Sequence, residues 1–257
     1  MKKNSIVLIV VLFLAQNTLF AQKKDDLYSN RIFNFQFIYN GQTASGDWSK
    51  MYGTSSGLGF GVNYKSKTNW LFSAEGSFML SSDLKPGGAN LYYLTNSNGQ
   101  TFNDNNGTPA TVDLTMRGFN TFAKIGKIFP IARFNKNHGF IVQAGAGYLM
   151  HYLYFNIPQS SVAQLNETNQ RGYDRLHAGM ATNQFIGYYF QSENRLINFY
   201  IGVDFIQAYT KNLREFNYDT QQYDTGNKQD NITAFRFAWM IPIYLSNKNE
   251  EFNFESK

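Results

Sequence analysis

Residues 32–40 read IFNFQFIYN, and this alternation of aromatic and amide side chains decides the fold. Successive side chains of a β-strand point to opposite faces, so Phe33, Phe35, Phe37 and Tyr39 share one face and the amides share the other. The pattern therefore predicts a strand that separates an apolar environment from a polar one.

The same period of two returns in further segments, which we predict as strands. They are residues 57–65, 70–80, 117–129, 140–154, 176–190, 197–205 and 235–243. The sixth strand of the series, residues 176–190, has the weakest pattern, because Gln184 falls among its apolar positions. Eight strands are therefore predicted, with ten as the alternative count.

The composition indicates where the apolar face lies. Phe, Tyr and Trp make up 17% of the chain and charged residues 16%, and the mean hydropathy is negative. A soluble β-sandwich also alternates, but it does not need aromatic rings at nearly every outward position. A barrel in lipid does, because alternate residues face acyl chains and the others face a polar lumen. The predicted fold is all-β, a transmembrane antiparallel up-and-down β-barrel.

The intervals between the predicted strands alternate in length, as in outer-membrane barrels with long outer loops and short periplasmic turns. The long intervals are 41–56, 81–116, 155–175 and 211–231, and the short ones are 66–69, 130–138 and 191–194. An even strand number with short turns on one side places both termini in the periplasm. The longest interval predicts a hairpin around its Asn/Gly-rich centre, residues 96–107.

The N-terminus has the order of a secretory signal peptide. Lys2 and Lys3 precede an apolar run from Ser5 to Phe20, and we place cleavage after Ala21. An uncleaved membrane helix is the alternative, but Gln16 and its polar neighbours interrupt the run, which is shorter than the roughly 20 apolar residues of a spanning helix. Export with insertion into the cell outer membrane is the predicted localisation.

The predicted signal peptide and strands divide the rest of the chain into three segments. Residues 22–30 are predicted as a periplasmic N-terminal segment, 31–245 as the barrel and 246–257 as a polar periplasmic tail. The chain has no Cys, which excludes disulfides and thiol chemistry, and its formal charge of +5 comes from scattered Lys and Arg. A nucleic-acid partner is therefore not expected.

Four charged residues fall on inward positions: Glu75, Lys124, Asp204 and Arg236. We expect Glu75 near Lys124 and Asp204 near Arg236, as a network that fills the narrow bore of an eight-stranded barrel. Several inward glycines favour the alternative of a cavity and hence a narrow small-solute channel. They are Gly57, Gly59, Gly61, Gly145, Gly147 and Gly202.

A catalytic alternative depends on two histidines. His151 and His177 lie towards the outer ends of adjacent strands, with Asp174, Ser160 and Ser161 in the neighbouring loop, so a lipid-directed hydrolase or acyltransferase is conceivable. This arrangement is nonspecific, and a polar residue at a loop edge is the simpler interpretation. No carboxylate has ligand spacing to both histidines, and no Gly-rich phosphate loop is present. We therefore expect no enzyme, metal or cofactor.

Four further stretches carry a resemblance to a known family. They read GDWSKMYG at 46–53, YKSKTNW at 64–70, RGYDRLHAG at 171–179 and RLINFYIG at 195–202. Together they resemble a family of outer-membrane β-barrel proteins from Bacteroidota. The resemblance implies the fold and the location and transfers no catalytic residue. Such bacteria use small barrels as accessory subunits of assembly or secretion machines, which implies a structural or accessory role beside membrane lipid and other outer-membrane proteins.

Within that resemblance, Asp47, Tyr173, Asp174 and Arg175 become candidate residues for contacting a partner or ordering the outer loops. In the alternative, these residues contact only their neighbours in the sequence. Asp47 would then serve the turn chemistry after Gly46, and Asp174 and Arg175 would form an exposed ion pair of little energetic value.

Overall fold

The computed structural model describes residues 31–85, 103–108, 110, 112–131, 137–157, 162, 165–192 and 197–245. The predicted signal peptide, the segment 22–30 and the tail lie outside the described residues. So do Ser160, Ser161 and most of the hairpin predicted around residues 96–107.

Eight antiparallel strands pair in sequence and close into a barrel, so the predicted fold and the count of eight are confirmed. The strands and helices, in chain order, are β1 (Ile32–Gly46), α1 (Trp48–Met51), β2 (Thr54–Lys65), β3 (Trp70–Ser81), β4 (Asp113–Pro130), β5 (Gly139–Asn156), α2 (Glu167–Tyr173), β6 (His177–Gln191), β7 (Asn198–Asn212), β8 (Phe216–Asn217), β9 (Gln222–Tyr223) and β10 (Asn227–Tyr244). β10 closes the ring between β7 and β1, whereas β8 and β9 form a separate small hairpin.

The two faces of the barrel wall differ as the sequence predicts. Phe35 and Phe60 point outward with 47% and 64% of their surface exposed, whereas the inward Asn34 and Asn63 are buried. In lipid, backbone groups must be paired within the protein, and a closed barrel pairs every strand edge. The apolar outer wall around a polar interior is therefore that of a barrel that spans a membrane.

Neither helix belongs to the barrel wall. Within the described residues, no helix is long and apolar enough to cross a membrane.

Two of the predicted long loops are wrong in extent. β1 continues to Gly46 and β2 already begins at Thr54, so most of the interval 41–56 is strand. Likewise β7 continues to Asn212 and β10 begins at Asn227. These extensions keep the hydrogen-bonded ladder but rise above the apolar band, where neither face needs apolar side chains. The alternation that predicts strands therefore ends before the strands do.

The alternative in which the inward glycines leave a cavity is not supported at these positions. A Cβ built on any of the six glycines would lie 3.0 Å or less from another atom. Phe122 lies 2.7 Å from the Cβ position of Gly147, and Phe185 lies 2.7 Å from that of Gly202. The space beside these glycines is thus occupied by the neighbouring strands and by lumen side chains, which disfavours a cavity at these positions.

We call the end of the barrel that carries residues 32 and 244 the inner end, and the opposite end, with α1 and α2, the outer end.

Candidate functional site

The four inward charges meet in the middle of the lumen. Lys124 Nζ lies 2.7 Å from Glu75 Oε1 and 3.5 Å from Asp204 Oδ1. Arg236 Nη1 lies 2.7 Å from Glu75 Oε1, and its Nε contacts Asp204. Both expected pairs are therefore present, and the cross contacts join them into one ring of two cations and two anions. We call these four residues the charge ring.

Neighbouring strands leave space for the charge ring. Lys124 is opposite Gly145 in the ladder between β4 and β5, and Arg236 is opposite Gly202 in the ladder between β10 and β7. Because these partners have no side chain, the long cationic side chains can lie across the bore. Each member of the ring is at most 5% exposed.

Polar side chains surround the ring and occupy the lumen below it. Asn183 Nδ2 donates to Asp204 Oδ1 at 2.9 Å, on the ring itself. Nearer the inner end, Asn34 Nδ2 donates to Asn63 Oδ1 at 2.7 Å and Gln191 Nε2 donates to Asn34 Oδ1 at 3.1 Å. These hydrogen bonds join Asn34, Asn63 and Gln191 into a second polar layer, which we call the amide layer and which satisfies buried polar groups.

The outer end of the lumen is covered by α1. Trp48 and Tyr52, at the start of the helix and just after it, are fully buried. The Trp48 ring centroid lies 4.3 Å from that of His151, and the Tyr52 centroid lies 5.4 Å from it. This aromatic plug was not predicted from the sequence, although the two aromatics in the short GDWSKMYG stretch were a signal for it.

Asp47 links α1 to the barrel. Its Oδ2 accepts a hydrogen bond from the Gln229 backbone N–H at 2.9 Å, and Lys50 Nζ lies 2.7 Å from its Oδ1. The hydrogen bond from Lys50 is the main cause that lowers the pKa of Asp47. Asp47 is thus a loop-ordering residue at the outer rim.

The two histidines proposed for catalysis stack beneath the plug, with ring centroids 5.2 Å apart. His151 Nε2 lies 3.3 Å from Asp230 Oδ2, and its Nδ1 lies 3.4 Å from Tyr52 Oη. His177 Nδ1 lies 2.7 Å from the backbone oxygen of Arg175. The carboxylate of Asp174, which was expected beside the histidines, pairs with Arg214 instead. The ring nitrogens therefore hold the outer plug and the start of β6 in place.

A cavity of about 180 Å³ opens next to these rings. Its rim carries Lys228, which is paired with Asp224 at 2.9 Å, and Lys50, which is paired with Asp47. Among the described residues, no cluster of three or more His, Cys, Asp or Glu is placed to hold a metal ion. The lysines at the rim of the cavity therefore pair with neighbouring carboxylates.

Asp174 and Arg175 do not form an exposed pair with each other, so the local alternative for them is wrong. Each is 9% exposed, and each pairs with the loop after β7. Arg214 Nη2 lies 2.7 Å from Asp174 Oδ2, and Arg175 forms an ion pair with Asp219. Hydrogen bonding to Asp174 raises the pKa of Arg214. These contacts tie the loop between β5 and β6 to the loop between β7 and β10.

α2 and the β8–β9 hairpin add an apolar contact to this link. Asn166 caps α2 by accepting a hydrogen bond from the Asn169 N–H at 2.9 Å. Tyr173, at the end of α2, packs edge-on against Tyr218, with centroids 5.4 Å apart. Gly172 is where Tyr218 comes closest, because a Cβ there would overlap the Tyr218 ring. The four predicted outer-loop residues therefore all lie in contacts that order the outer surface.

Comparison with known proteins gives likeness of fold only. No family model matches the chain, and no curated protein matches it. Among solved structures, Neisserial surface protein A shares 9% identity over 81% of this chain and 96% of its own, with a TM-score of 0.42. The attachment invasion locus protein Ail of Yersinia pestis shares 11% identity over 82% of this chain and 100% of its own, with a TM-score of 0.39.

Outer membrane protein OprG from Pseudomonas aeruginosa shares 10% identity over 83% of this chain and 96% of its own, with a TM-score of 0.40. The resemblance to a Bacteroidota family finds no support in these comparisons. The assignment as a membrane-spanning barrel comes from the strand pairing and the apolar outer wall of this chain.

Proposed function

We propose that this chain is an integral outer-membrane β-barrel with a closed lumen, and that it serves as a structural or accessory subunit of an outer-membrane complex for assembly or secretion. The observation that carries the proposal is the filled interior. The charge ring, the amide layer and the aromatic plug occupy successive levels of the bore.

The filled interior disfavours a narrow channel. A solute would have to break the ion pairs of the charge ring, because Lys124 and Arg236 each contact both Glu75 and Asp204, and a charge that loses these contacts is left buried without a partner. Breaking such a buried pair costs about 3–5 kcal/mol. The inward glycines, which favoured a channel, are covered by Phe122, Phe185 and other lumen side chains.

The outer surface supports an accessory role because its loops are already ordered. Arg214 holds Asp174, Asp219 holds Arg175, and Gln229 holds Asp47. A partner that binds an ordered surface loses less conformational entropy than one that must first order its loops. The histidines at the mouth take part in the same ordering contacts, so we propose a non-enzymatic role for them.

Two measurements test the proposal. Planar-bilayer recording of the purified protein should give no conductance, and regular single-channel steps would refute the closed lumen. A tagged chain extracted from native membranes in mild detergent should migrate as a complex larger than the monomer.

The matched variant for the second measurement combines Arg175→Met with Asp174→Asn. These substitutions remove the ion pairs between the outer loops and leave the barrel wall unchanged. This variant should lose the complex while keeping the gel migration of a folded barrel. Recovery of monomer alone from the unaltered chain would contradict the accessory role.

A further inference from the structure

A groove of about 230 Å³ lies near the outer end of the barrel, between β5 and α2. Tyr152 and Tyr154 of β5 form one wall, and Gln170 and Arg171 of α2 form the other. Leu153, Phe155 and Asp174 complete its lining.

A second arginine, on the neighbouring strand, lies beside this groove because it stacks on Tyr154, which lines it. Arg117 of β4 is opposite Tyr152 in the ladder, and it faces outward like Phe119 two residues further along. Its guanidinium carbon lies 3.2 Å from the centroid of the Tyr154 ring. A guanidinium stacked on an aromatic ring keeps its N–H groups in its own plane, where they can bind two oxygens of one anion.

Among the described residues, the two arginines at this groove have no acidic partner. Within the part of the chain that the structure describes, neither Arg117 nor Arg171 forms an ion pair or a hydrogen bond to a carboxylate. Asp174 borders the groove, but both of its oxygens accept hydrogen bonds from Arg214. Two arginines and two tyrosines therefore face a cleft with no acidic partner of their own.

The position of the groove relative to the membrane follows from the strand geometry. Phe140 marks the inner edge of the apolar face of β5, and residues rise about 3.4 Å each along strands tilted by about 40°. The apolar band of about 25 Å then ends near Met150. Tyr152, Tyr154 and Arg117 lie just beyond it, at the level of the lipid headgroups of the outer leaflet.

We propose that this groove binds the phosphorylated sugar headgroup of an outer-leaflet glycolipid. The two arginines bind a phosphate, for which a guanidinium fork has matching geometry, and the tyrosine rings pack against a sugar face. The groove opens sideways at headgroup depth, which favours a lipid over a solute that approaches the mouth. The inference rests on the proposed location in the outer membrane and adds a ligand class to it.

The test uses the purified full-length chain and native mass spectrometry in detergent. The probe is lipid A, a bisphosphorylated glucosamine lipid, with its dephosphorylated form, phosphatidylglycerol and inorganic phosphate as comparisons. Lipid A should bind most tightly. The Arg117→Gln and Arg171→Gln double variant should weaken its binding by about tenfold or more, since charge-assisted hydrogen bonds are lost.

Lys211→Gln is the matched control. Lys211 is an exposed cation near the outer end of β7, away from the groove, and its loss should leave lipid A binding unchanged. Arg171→Gln alone serves if the double variant fails to fold, because Arg171 is on exposed α2 and outside the barrel wall.

Three results would overturn the inference: equal lipid A binding by the arginine variants and the unaltered chain, an equal loss with Lys211→Gln, or equal binding of phosphatidylglycerol or inorganic phosphate. Failure of the proposed function is detected separately, by conductance or by absence of a complex. Neither of those outcomes changes the lipid measurement.

Discussion

Replacing Glu75 with Gln should destabilise the barrel far more than its small change in shape suggests. Glu75 Oε1 lies 2.7 Å from both Lys124 Nζ and Arg236 Nη1, and the Glu75 side chain is 1% exposed. The Glu75→Gln substitution keeps an acceptor oxygen but leaves two cations with Asp204 as their one counter-charge. An uncompensated buried charge of this kind costs about 3–5 kcal/mol.

A second substitution separates charge from packing. Lys124→Met alone should cost a similar amount, because it leaves Glu75 and Asp204 with Arg236 as their one cation. The double variant restores neutrality, so its cost should be smaller than the sum of the single costs by about 2–3 kcal/mol, near the upper limit for residues in one network.

The assay is guanidinium unfolding of each variant from lipid vesicles, followed by the fluorescence of the chain's tryptophans. Lys127→Met is the control, because Lys127 is on the same strand, faces outward and lies 5.3 Å above the Trp70 ring. Its loss should change the unfolding free energy by about 1 kcal/mol or less. A cost below about 1 kcal/mol for Glu75→Gln, or additive costs in the double variant, would show that the charge ring is not an interacting unit.

The other predictions concern packing, loop order and pH. Gly147→Val should lower the unfolding free energy by about 1–3 kcal/mol or more, measured by the same assay, because its Cβ would overlap the backbone oxygen of Thr121 and crowd the Phe122 ring. Asp174→Asn should speed amide hydrogen exchange in the loop after β7 by releasing Arg214, yet change global stability by about 1 kcal/mol or less because the pair is partly exposed. The backbone N–H of Thr54 donates to Asp83 and lowers the pKa of that carboxyl below its usual 3.8, so this contact stabilises the folded state above pH 3.8 and is lost as the pH falls through the lower folded value. Exchange at Thr54 should therefore accelerate at that acidic pH in the unaltered chain, and Asp83→Ala, which removes the acceptor, should show fast exchange at every pH.

The sequence was sufficient for the barrel wherever lipid imposes a constraint. The outward aromatics of β1 and β2 alternate with inward amides because one face meets acyl chains, and the inward charges of β3, β4, β7 and β10 fall where the bore must be filled. The sequence was insufficient above the membrane. Residues 227–231 of β10 are polar on both faces, so the strand there is held by backbone pairing that leaves no trace in side-chain pattern.

The outer contacts were unpredictable for a different reason. The approach of Arg214 to Asp174 and of Asp219 to Arg175 depends on where two loops meet in space. Adjacent opposite charges in the sequence, Asp174 and Arg175, suggested a local pair instead. The register that brings β6 beside β7 sets the meeting point of the loops, and register depends on the closure of the whole ring.

The closures of the lumen stand in series, and this decides how conductance experiments should be interpreted. Removing Glu75 weakens the charge ring but leaves Trp48 and Tyr52 over the outer mouth and the hydrogen bonds of Asn34 below. A variant can therefore lose several kcal/mol of stability without opening a path. Conductance should require loss of all three levels together, which is the behaviour expected of an interior whose polar groups hold the wall rather than select a solute.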